Sequence, residues 1–163
     1  KQLFDQNHWS DLHCMVICIS NQEKEITSST GMRQSKETSA FYEHWVSSHE
    51  NDLLKAIEYI KDKNFLSLAE IIEQNCMKMF AVQLSSSPPI LYWLPETIRL
   101  LHLLKKLKAE GFHLGYTMDA GPQVKILVHK KDCAELENII TKNIQYALSI
   151  TSEIGEGMKI LNQ

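Results

Sequence analysis

The segment FHLGYTMDAGPQVKILV, residues 112–128, decides the fold because it describes a β-hairpin. Over residues 112–118, large apolar residues alternate with small or polar ones, which is the pattern of a strand with one buried face. A Gly-Pro pair then predicts a turn, and residues 124–128 predict a second strand. The alternation places Asp119 on the small-residue face, where Gly115 and Thr117 predict open space beside its carboxylate.

The rest of the chain predicts the partners of this hairpin. Residues 12–19 are β-branched and sulfur-rich, which predicts a buried strand. Helical spacing of apolar residues predicts four helices between that strand and the hairpin, at about 32–48, 52–63, 66–84 and 95–111. Asp132 and Glu135 resemble a capping box that opens a further helix, and 158–161 predicts a last strand.

The order of these elements predicts the fold class. Strand, helices, strand, strand, helix and strand form an α+β domain with a ferredoxin-like split β-α-β sheet and additional helices. The 163 residues suffice for one buried core, so residues 1–163 are predicted to form a single domain. The chain starts at Lys1 without a signal segment, which predicts a fragment of a longer polypeptide.

Composition excludes several classes of protein. The formal net charge of -3 provides no basic surface that would attract nucleic acid. No apolar run reaches the roughly 20 residues of a membrane helix. The cysteines lack C-x-x-C spacing, which predicts free thiols in a reducing cytoplasm rather than a zinc site; they are Cys14, Cys18, Cys76 and Cys133.

Asp119 is the first candidate for chemistry, and two interpretations apply to it. As a structural residue it would form the hairpin turn, which is the commoner role of such an aspartate. As a functional residue it would orient a substrate hydroxyl, while the bare backbone N–H groups of Ala120 and Gly121 hold a phosphate. His113, the nearest histidine along this strand, is interpreted as a packing or surface residue.

The segment TSSTGM, residues 27–32, is the second candidate, because hydroxyl side chains and a glycine precede a helix. Serine and threonine are good N-caps, since their oxygens accept backbone N–H groups of the first turn. The same N-terminus could bind an anion, because its free N–H groups carry about half a positive charge. Both interpretations stay open on the residues alone.

Several motifs occur together in a single order along the chain. SSTGM at 28–32 is followed by ETS at 37–39, PPILY at 88–92 and YTMDAGP at 116–122, after an early NHW at 7–9. With these motifs, nearly all of the chain resembles the C-terminal half of the diphosphomevalonate decarboxylases of the GHMP kinase superfamily. The resemblance implies ATP-dependent conversion of mevalonate 5-diphosphate to isopentenyl diphosphate in isoprenoid biosynthesis. The 3-hydroxyl is phosphorylated, and phosphate and carbon dioxide then leave.

The resemblance also implies roles for individual residues. Asp119 would be the catalytic residue that orients the 3-hydroxyl and helps to remove its proton. Ser28 would contact the diphosphate and Met32 would line the mevalonate pocket. The complete substrate-binding set that the resemblance implies is Ser28, Ser29, Gly31, Met32, Ala120 and Gly121. Some enzymes of this kind carry an arginine where Ser29 stands, so its absence leaves the number of phosphates on the substrate open.

ATP as co-substrate and Mg²⁺ as cofactor are implied in the same way, with no metal ligand assigned in this chain. The sequence contains neither G-x-x-x-x-G-K-[ST] nor a Gly/Ser-rich phosphate loop. The ATP-binding half is therefore expected in an N-terminal part outside this chain, and the chain alone is expected to be inactive. The expected partner is the small-molecule substrate, with neither nucleic acid nor membrane, and a homodimer is compatible with the resemblance.

Two alternatives stay open. A sister enzyme, either a phosphomevalonate decarboxylase or a mevalonate 3-kinase, fits the same motifs with another substrate. A non-catalytic ferredoxin-like binding or dimerisation module would need the core, but neither Asp119 nor the hydroxyl-rich loop.

Overall fold

The computed structural model describes residues 2–157. Over this range, helices are inserted between the first and second strands of an antiparallel sheet. The elements are β1 (Leu12–Cys18), α1 (Ser28–Thr38), α2 (Tyr42–Lys61), α3 (Phe65–Leu84), α4 (Pro95–Ala109), β2 (Leu114–Thr117), β3 (Val124–His129), α5 (Cys133–Asn143) and β4 (Leu148–Glu153). The strand predicted at 158–161 lies outside the described residues.

The sheet confirms the predicted α+β, ferredoxin-like arrangement. Its strands lie in the order β2-β3-β1-β4, and all neighbours are antiparallel. The hairpin of residues 112–128 forms the β2–β3 pair, with Tyr116 opposite Ile126. Ile126 also lies opposite Met15 of β1, so the central strands share one continuous apolar row.

The main core lies on the face of the sheet that carries Met15 and Ile126, both fully buried. Alternate residues of each strand point to this face, because side chains in a strand have a period of two. The sheet residues share one cluster with the apolar stripes of α4 and α5, represented by Leu104 and Ile140. Burying large apolar side chains in this way contributes about 1.5–3 kcal/mol for each one.

Helix α3 covers part of the opposite face of the sheet, and its position contradicts one prediction. A Cβ on Gly115 would lie 2.6 Å from the Cβ of Ala69 and 2.7 Å from its Cα. The space that Gly115 leaves beside β2 is therefore filled by α3, and the prediction of open room over this face is wrong. Gly115 serves the close approach of helix and strand.

Two predicted helices have different bounds in the structure. The chain breaks at residues 39–41 and not near Ser48, so α2 is one helix of 20 residues. Ser39 is extended, and its hydroxyl bonds to the hydroxyl of Ser85 at 2.7 Å and accepts the N–H of Phe41 at 3.2 Å. Such side-chain bonds compete with helix formation.

Helix α4 confirms its predicted start and end, with Pro95 in the first turn and Gly111 at φ +100° just beyond the last. The predicted capping box at Asp132 is wrong. Asp132 ends a short 3₁₀ turn that runs directly into α5, and its side chain makes no capping bond. None of the helices in the described part of the chain is long and apolar enough to span a membrane.

Candidate functional site

The end of the β2–β3 hairpin and the start of α1 form opposite walls of a pocket of about 300 Å³, which helices α2 and α3 complete. Most of the predicted site residues line it, namely Ser28, Gly31, Met32, Asp119 and Ala120. Ser29 and Gly121 are not among the lining residues. The two segments singled out from the sequence, residues 27–32 and 116–122, therefore face one cavity.

The hairpin presents Asp119 just beyond the end of β2. Its side chain is 68% exposed, and its Oδ2 accepts a hydrogen bond from Lys125 Nζ at 2.6 Å. Lys125 lies opposite Thr117 in the sheet register, so the pair joins the two strands next to the turn. Lys125 was missed in the sequence. Its signal was its place in the strand after the turn, because residues opposite or diagonal to each other across a hairpin interact.

The backbone around Asp119 is less free than predicted. The N–H of Gly121 donates to the carbonyl oxygen of Asp119 at 2.8 Å. One of the two bare N–H groups expected to hold a phosphate is therefore already used in the turn.

Helix α3 fixes the strand that leads to Asp119. The thiol of Cys76, which is buried, accepts the N–H of Met118 at 3.2 Å and faces the carbonyl oxygen of Met118 at 3.8 Å. Burial raises the pKa of the Cys76 thiol, which keeps it protonated. One turn earlier, the carboxylate of Glu73 accepts the N–H of Tyr116 at 3.3 Å and pairs with Lys108 at 2.7 Å.

The first turn of α1 confirms the N-cap interpretation. Thr27 is the N-cap, and its hydroxyl accepts the N–H of Thr30 at 3.3 Å. The side chain of Ser28 lines the pocket from the same turn. Gly31 allows a close approach, but to a side chain: a Cβ there would lie 2.5 Å from the hydroxyl of Tyr92.

Lys24 bridges the two walls and was missed in the sequence, because no motif or periodicity singles it out. Its Nζ donates to the hydroxyl of Ser28 at 2.9 Å and to the carbonyl oxygen of Ala120, and it lies 5.7 Å from the centre of the Tyr92 ring. These partners are uncharged, whereas Asp119 is paired with Lys125. The positive charge of Lys24 therefore remains available to an anion in the pocket.

Two further polar residues of the pocket were missed, Trp45 on α2 and Gln83 on α3. Neither residue was singled out in the sequence. Gln83 offered a signal, because it follows Met79 by four positions on an otherwise apolar stripe. His113 contributes nothing here: it packs against Phe65, with ring centres 6.4 Å apart, as its interpretation as a packing residue predicted.

Within residues 2–157, no group of three or more His, Cys, Asp or Glu side chains could hold a metal ion. The four cysteines are free thiols, buried or half-buried, as predicted. The polar groups that line the pocket are a carboxylate, an ammonium group, hydroxyls, an indole and an amide.

Comparison with known proteins places this geometry in a family. Residues 14–161 match the model of the mevalonate 5-diphosphate decarboxylase C-terminal domain. The diphosphomevalonate decarboxylase of Ganoderma lucidum is 30% identical over 162 residues, which cover 94% of this chain and 40% of that protein.

Solved structures agree with the sequence comparison. Mevalonate diphosphate decarboxylase from Staphylococcus aureus superposes with a TM-score of 0.89 at 32% identity, over 99% of this chain and 49% of that one. MDDEF in complex with MVAPP, AMPPCP and magnesium superposes with a TM-score of 0.84 at 34% identity, over 94% of this chain and 48% of that one. The chain thus spans about half the length of these relatives. It belongs to the mevalonate 5-diphosphate decarboxylase family and corresponds to the C-terminal domain of those enzymes.

Proposed function

We propose that this chain forms the acid-bearing, substrate-binding half of an ATP-dependent decarboxylase that converts mevalonate 5-diphosphate to isopentenyl diphosphate. The observation that carries the proposal is the meeting of Asp119 and Ser28 at one pocket, with Lys24 between them bonded to the uncharged oxygens of Ser28 and Ala120. A carboxylate beside a site for an anion is what a phosphorylated alcohol substrate requires.

Asp119 acts in this proposal on the 3-hydroxyl of the substrate. An ordinary aspartate has a pKa near 3.9 and is a weak base for an alcohol. Phosphoryl transfer has a loose transition state, however, so aiming the hydroxyl oxygen at the phosphorus matters more than early removal of its proton. The bonds of Cys76 and Glu73 to the strand supply the rigidity that such positioning requires. Departure of phosphate and carbon dioxide then gives the product.

The diphosphate is assigned to the end of the pocket formed by Ser28 and Lys24. The start of α1 offers first-turn N–H groups and the positive end of a helix dipole, and the Ser28 hydroxyl adds a donor. Lys24 supplies the full positive charge. Met32, Gly31 and Ala120 would line the path of the carbon skeleton. Ser29 and Gly121 remain in the proposed set as neighbours of this end, without a direct position in the pocket wall.

ATP and magnesium belong to the proposed reaction through the family, since the relative MDDEF is described with MVAPP, AMPPCP and magnesium. ATP with magnesium supplies the phosphoryl group that is transferred. The residues described here fit the acceptor side of that transfer, because they provide a carboxylate and anion donors but no cluster for a metal. We therefore place the ATP-binding residues in a part of the protein outside this chain. The cytoplasmic location and the homodimer stay predictions.

A second substrate assignment is favoured by one observation. Ser29 stands where some related enzymes carry an arginine, and a missing charge would suit a substrate with fewer phosphates. Lys24, whose ammonium group touches Ser28, could supply that charge and retain the diphosphate. If Lys24 does not replace the missing charge, the substrate carries fewer phosphates. The alternative is then a phosphomevalonate decarboxylase or a mevalonate 3-kinase.

The deciding experiment assays the full-length protein with ATP against mevalonate, its 5-phosphate and its 5-diphosphate, measuring ADP and carbon dioxide separately. We expect both products in equal amounts, and the highest kcat/KM with the diphosphate. ADP without carbon dioxide would favour the kinase, and a preference for the monophosphate would favour the sister decarboxylase. The isolated 163-residue chain should give neither product.

A further inference from the structure

Two buried polar atoms of pocket-lining residues have no hydrogen-bond partner among residues 2–157. Gln83 is only 4% exposed, and its Oε1 is buried without a hydrogen-bond partner. The indole Nε1 of Trp45 is buried without a partner as well. Both side chains line the same pocket as Asp119.

Such a coincidence requires an explanation, because nearly all buried polar groups in proteins are paired with protein or with ordered water. Leaving either group unpaired destabilises the fold. Here a donor, the indole N–H, and an acceptor, the amide oxygen, occur in the wall of one cavity. A single oxygen that both accepts and donates a hydrogen bond would satisfy the two together.

This end of the pocket is distinct from the charged end. Ser28 and Ser35 both line the pocket from α1, seven residues and about 10 Å apart along the helix. Ser28 contacts Lys24, whereas Ser35 accepts a hydrogen bond from Ser86, three residues beyond Gln83. Gln83 therefore lies towards the far end of α1, away from the ammonium group of Lys24.

The chemistry of the two groups selects the ligand atom. A carboxylate or a fully ionised phosphate accepts hydrogen bonds but cannot donate one to the amide oxygen. It would also lack a neutralising cation, since Lys24 is held between Ser28 and Ala120. A hydroxyl group or a water molecule both donates and accepts, and carries no charge.

We propose that Gln83 and Trp45 form a second, uncharged subsite in the pocket, which binds a neutral oxygen: either the 3-hydroxyl of the substrate, shared with Asp119, or an ordered water that the substrate contacts. The proposal rests on the proposed function in one respect, because the substrate is taken to be mevalonate 5-diphosphate. In that setting the charged end binds the phosphates, and the subsite sets how the carbon skeleton lies relative to Asp119. Gln83 is then a positioning residue.

The test compares Gln83→Met and Trp45→Phe with the wild-type full-length protein. Gln83→Met keeps the approximate size of the side chain, whereas Trp45→Phe keeps an aromatic ring but is smaller. Both replacements remove the hydrogen-bonding atom. We expect the Kd for mevalonate 5-diphosphate to rise about tenfold, as for the loss of one hydrogen bond to a ligand, while the Kd for inorganic diphosphate is unchanged. Thermal unfolding of Gln83→Met should occur at the same or a higher temperature, because a buried unpaired group has been removed without a change in size. Trp45→Phe should unfold at a somewhat lower temperature, because the smaller ring leaves a cavity.

Unchanged affinity for mevalonate 5-diphosphate in a well-folded Gln83→Met variant would overturn the subsite. If the wild-type protein itself does not bind mevalonate 5-diphosphate, the proposed function fails, and the subsite is then tested by crystallography. Crystal structures with and without ligand also distinguish the sources: a water between Gln83 and Trp45 in both crystals assigns the oxygen to water, and its replacement on binding assigns it to the ligand. An empty position in both crystals would reject the proposal.

Discussion

The two walls of the pocket are built in different ways. The hairpin wall that carries Asp119 is continuous with the main core, through buried residues such as Leu114, Met118 and Val124. The α1 wall has only Gly31 and Ser35 buried along its whole helix. It is held by hydroxyl contacts to the segment after α3, such as the Ser86–Ser35 bond of 3.0 Å. We infer that the hairpin provides rigid positioning for the chemistry, whereas α1 provides an adjustable surface for binding.

The largest expected effect tests the chemical role of the hairpin wall. Asp119→Asn in the full-length protein should lower kcat about 100- to 10,000-fold, as expected for loss of a positioned acid–base group. The free energy of unfolding should change little, because the side chain is exposed and exposed ion pairs contribute at most about 1 kcal/mol. Steady-state kinetics and urea unfolding measure the two quantities.

The control for this variant is Asp62→Asn, which changes an exposed carboxylate at the end of α2. Its kcat should equal that of the wild type. If Asp119→Asn retains full turnover, the turn-forming role of Asp119 is sufficient, and the chain is better described as a non-catalytic module.

The second prediction tests whether the hairpin wall is rigid. Gly115→Ala places a Cβ 2.6 Å from the Cβ of Ala69 and 2.7 Å from its Cα, which belongs to the backbone. The overpacking should lower the free energy of unfolding by about 1–3 kcal/mol, measured by urea denaturation. Ala69→Gly should restore only part of the loss, because the backbone contact remains.

Gly155→Ala is the matched control, since a Cβ there would meet no atom within 4 Å. A Gly115→Ala variant as stable as this control would mean that α3 moves freely away from β2. The hairpin would then not be fixed by the core, and the contrast between the walls would disappear.

The third prediction concerns the α1 wall. The effect of Gly31→Ala on stability should change sign when Tyr92 is replaced by phenylalanine. Gly31→Ala should gain about 1 kcal/mol of helix propensity, but the new Cβ would lie 2.5 Å from the hydroxyl of Tyr92. In the wild-type background we expect a net loss of stability of roughly 1 kcal/mol or less, because Tyr92 must shift. In the Tyr92→Phe background the same substitution should stabilise the protein. Thermal unfolding of the four proteins gives the double-mutant cycle, and a gain in both backgrounds would show that Tyr92 adapts without cost.

Sequence reasoning succeeded where one face of an element is fully buried. The alternation of residues 112–118 and the apolar stripes of α3 and α4 gave the right elements, because burial imposes a period on the sequence. It failed at β4, an edge strand in which Leu148 and Ile150 are each 49% exposed, so little alternation is selected. It also failed at residues 39–41, where the Ser39 hydroxyl ends α1 by bonding to the distant Ser85 as well as to the N–H of Phe41.

The residues of the candidate site also divide into those that the sequence predicts and those that it does not. Asp119 and Ser28 belong to motifs that a resemblance can carry, and the structure places both on one pocket. Lys24 comes from a connection with no pattern, and its role depends on a contact with Ala120, 96 residues away. Gln83 and Trp45 became conspicuous only through the absence of partners, which no local sequence pattern encodes.

The smallest expected effect concerns the contact that joins α2, which carries Trp45, to α3, which carries Gln83. Asp52 is buried on α2 and accepts hydrogen bonds from Lys78 at 2.6 Å and Asn75 at 3.1 Å. Burial opposes ionisation, but these hydrogen bonds outweigh it and hold the pKa of the Asp52 carboxyl below its usual value. Below the unfolded pKa of about 4, the unfolded chain binds a proton that the folded protein resists.

The stabilising contribution of Asp52 is therefore complete above pH 4 and lost as the pH falls towards the lowered pKa of the folded state. Asp52→Asn should lower the free energy of unfolding by about 1 kcal/mol or less at pH 7, because Lys78 is partly exposed and can be hydrated. The difference from the wild type should shrink steadily below pH 4, in urea titrations at several pH values. A difference that stays constant down to pH 3 would mean that the hydrogen bonds of Asp52, and not its charge, join α2 to α3. Trp45 and Gln83 would then be held in place at every pH.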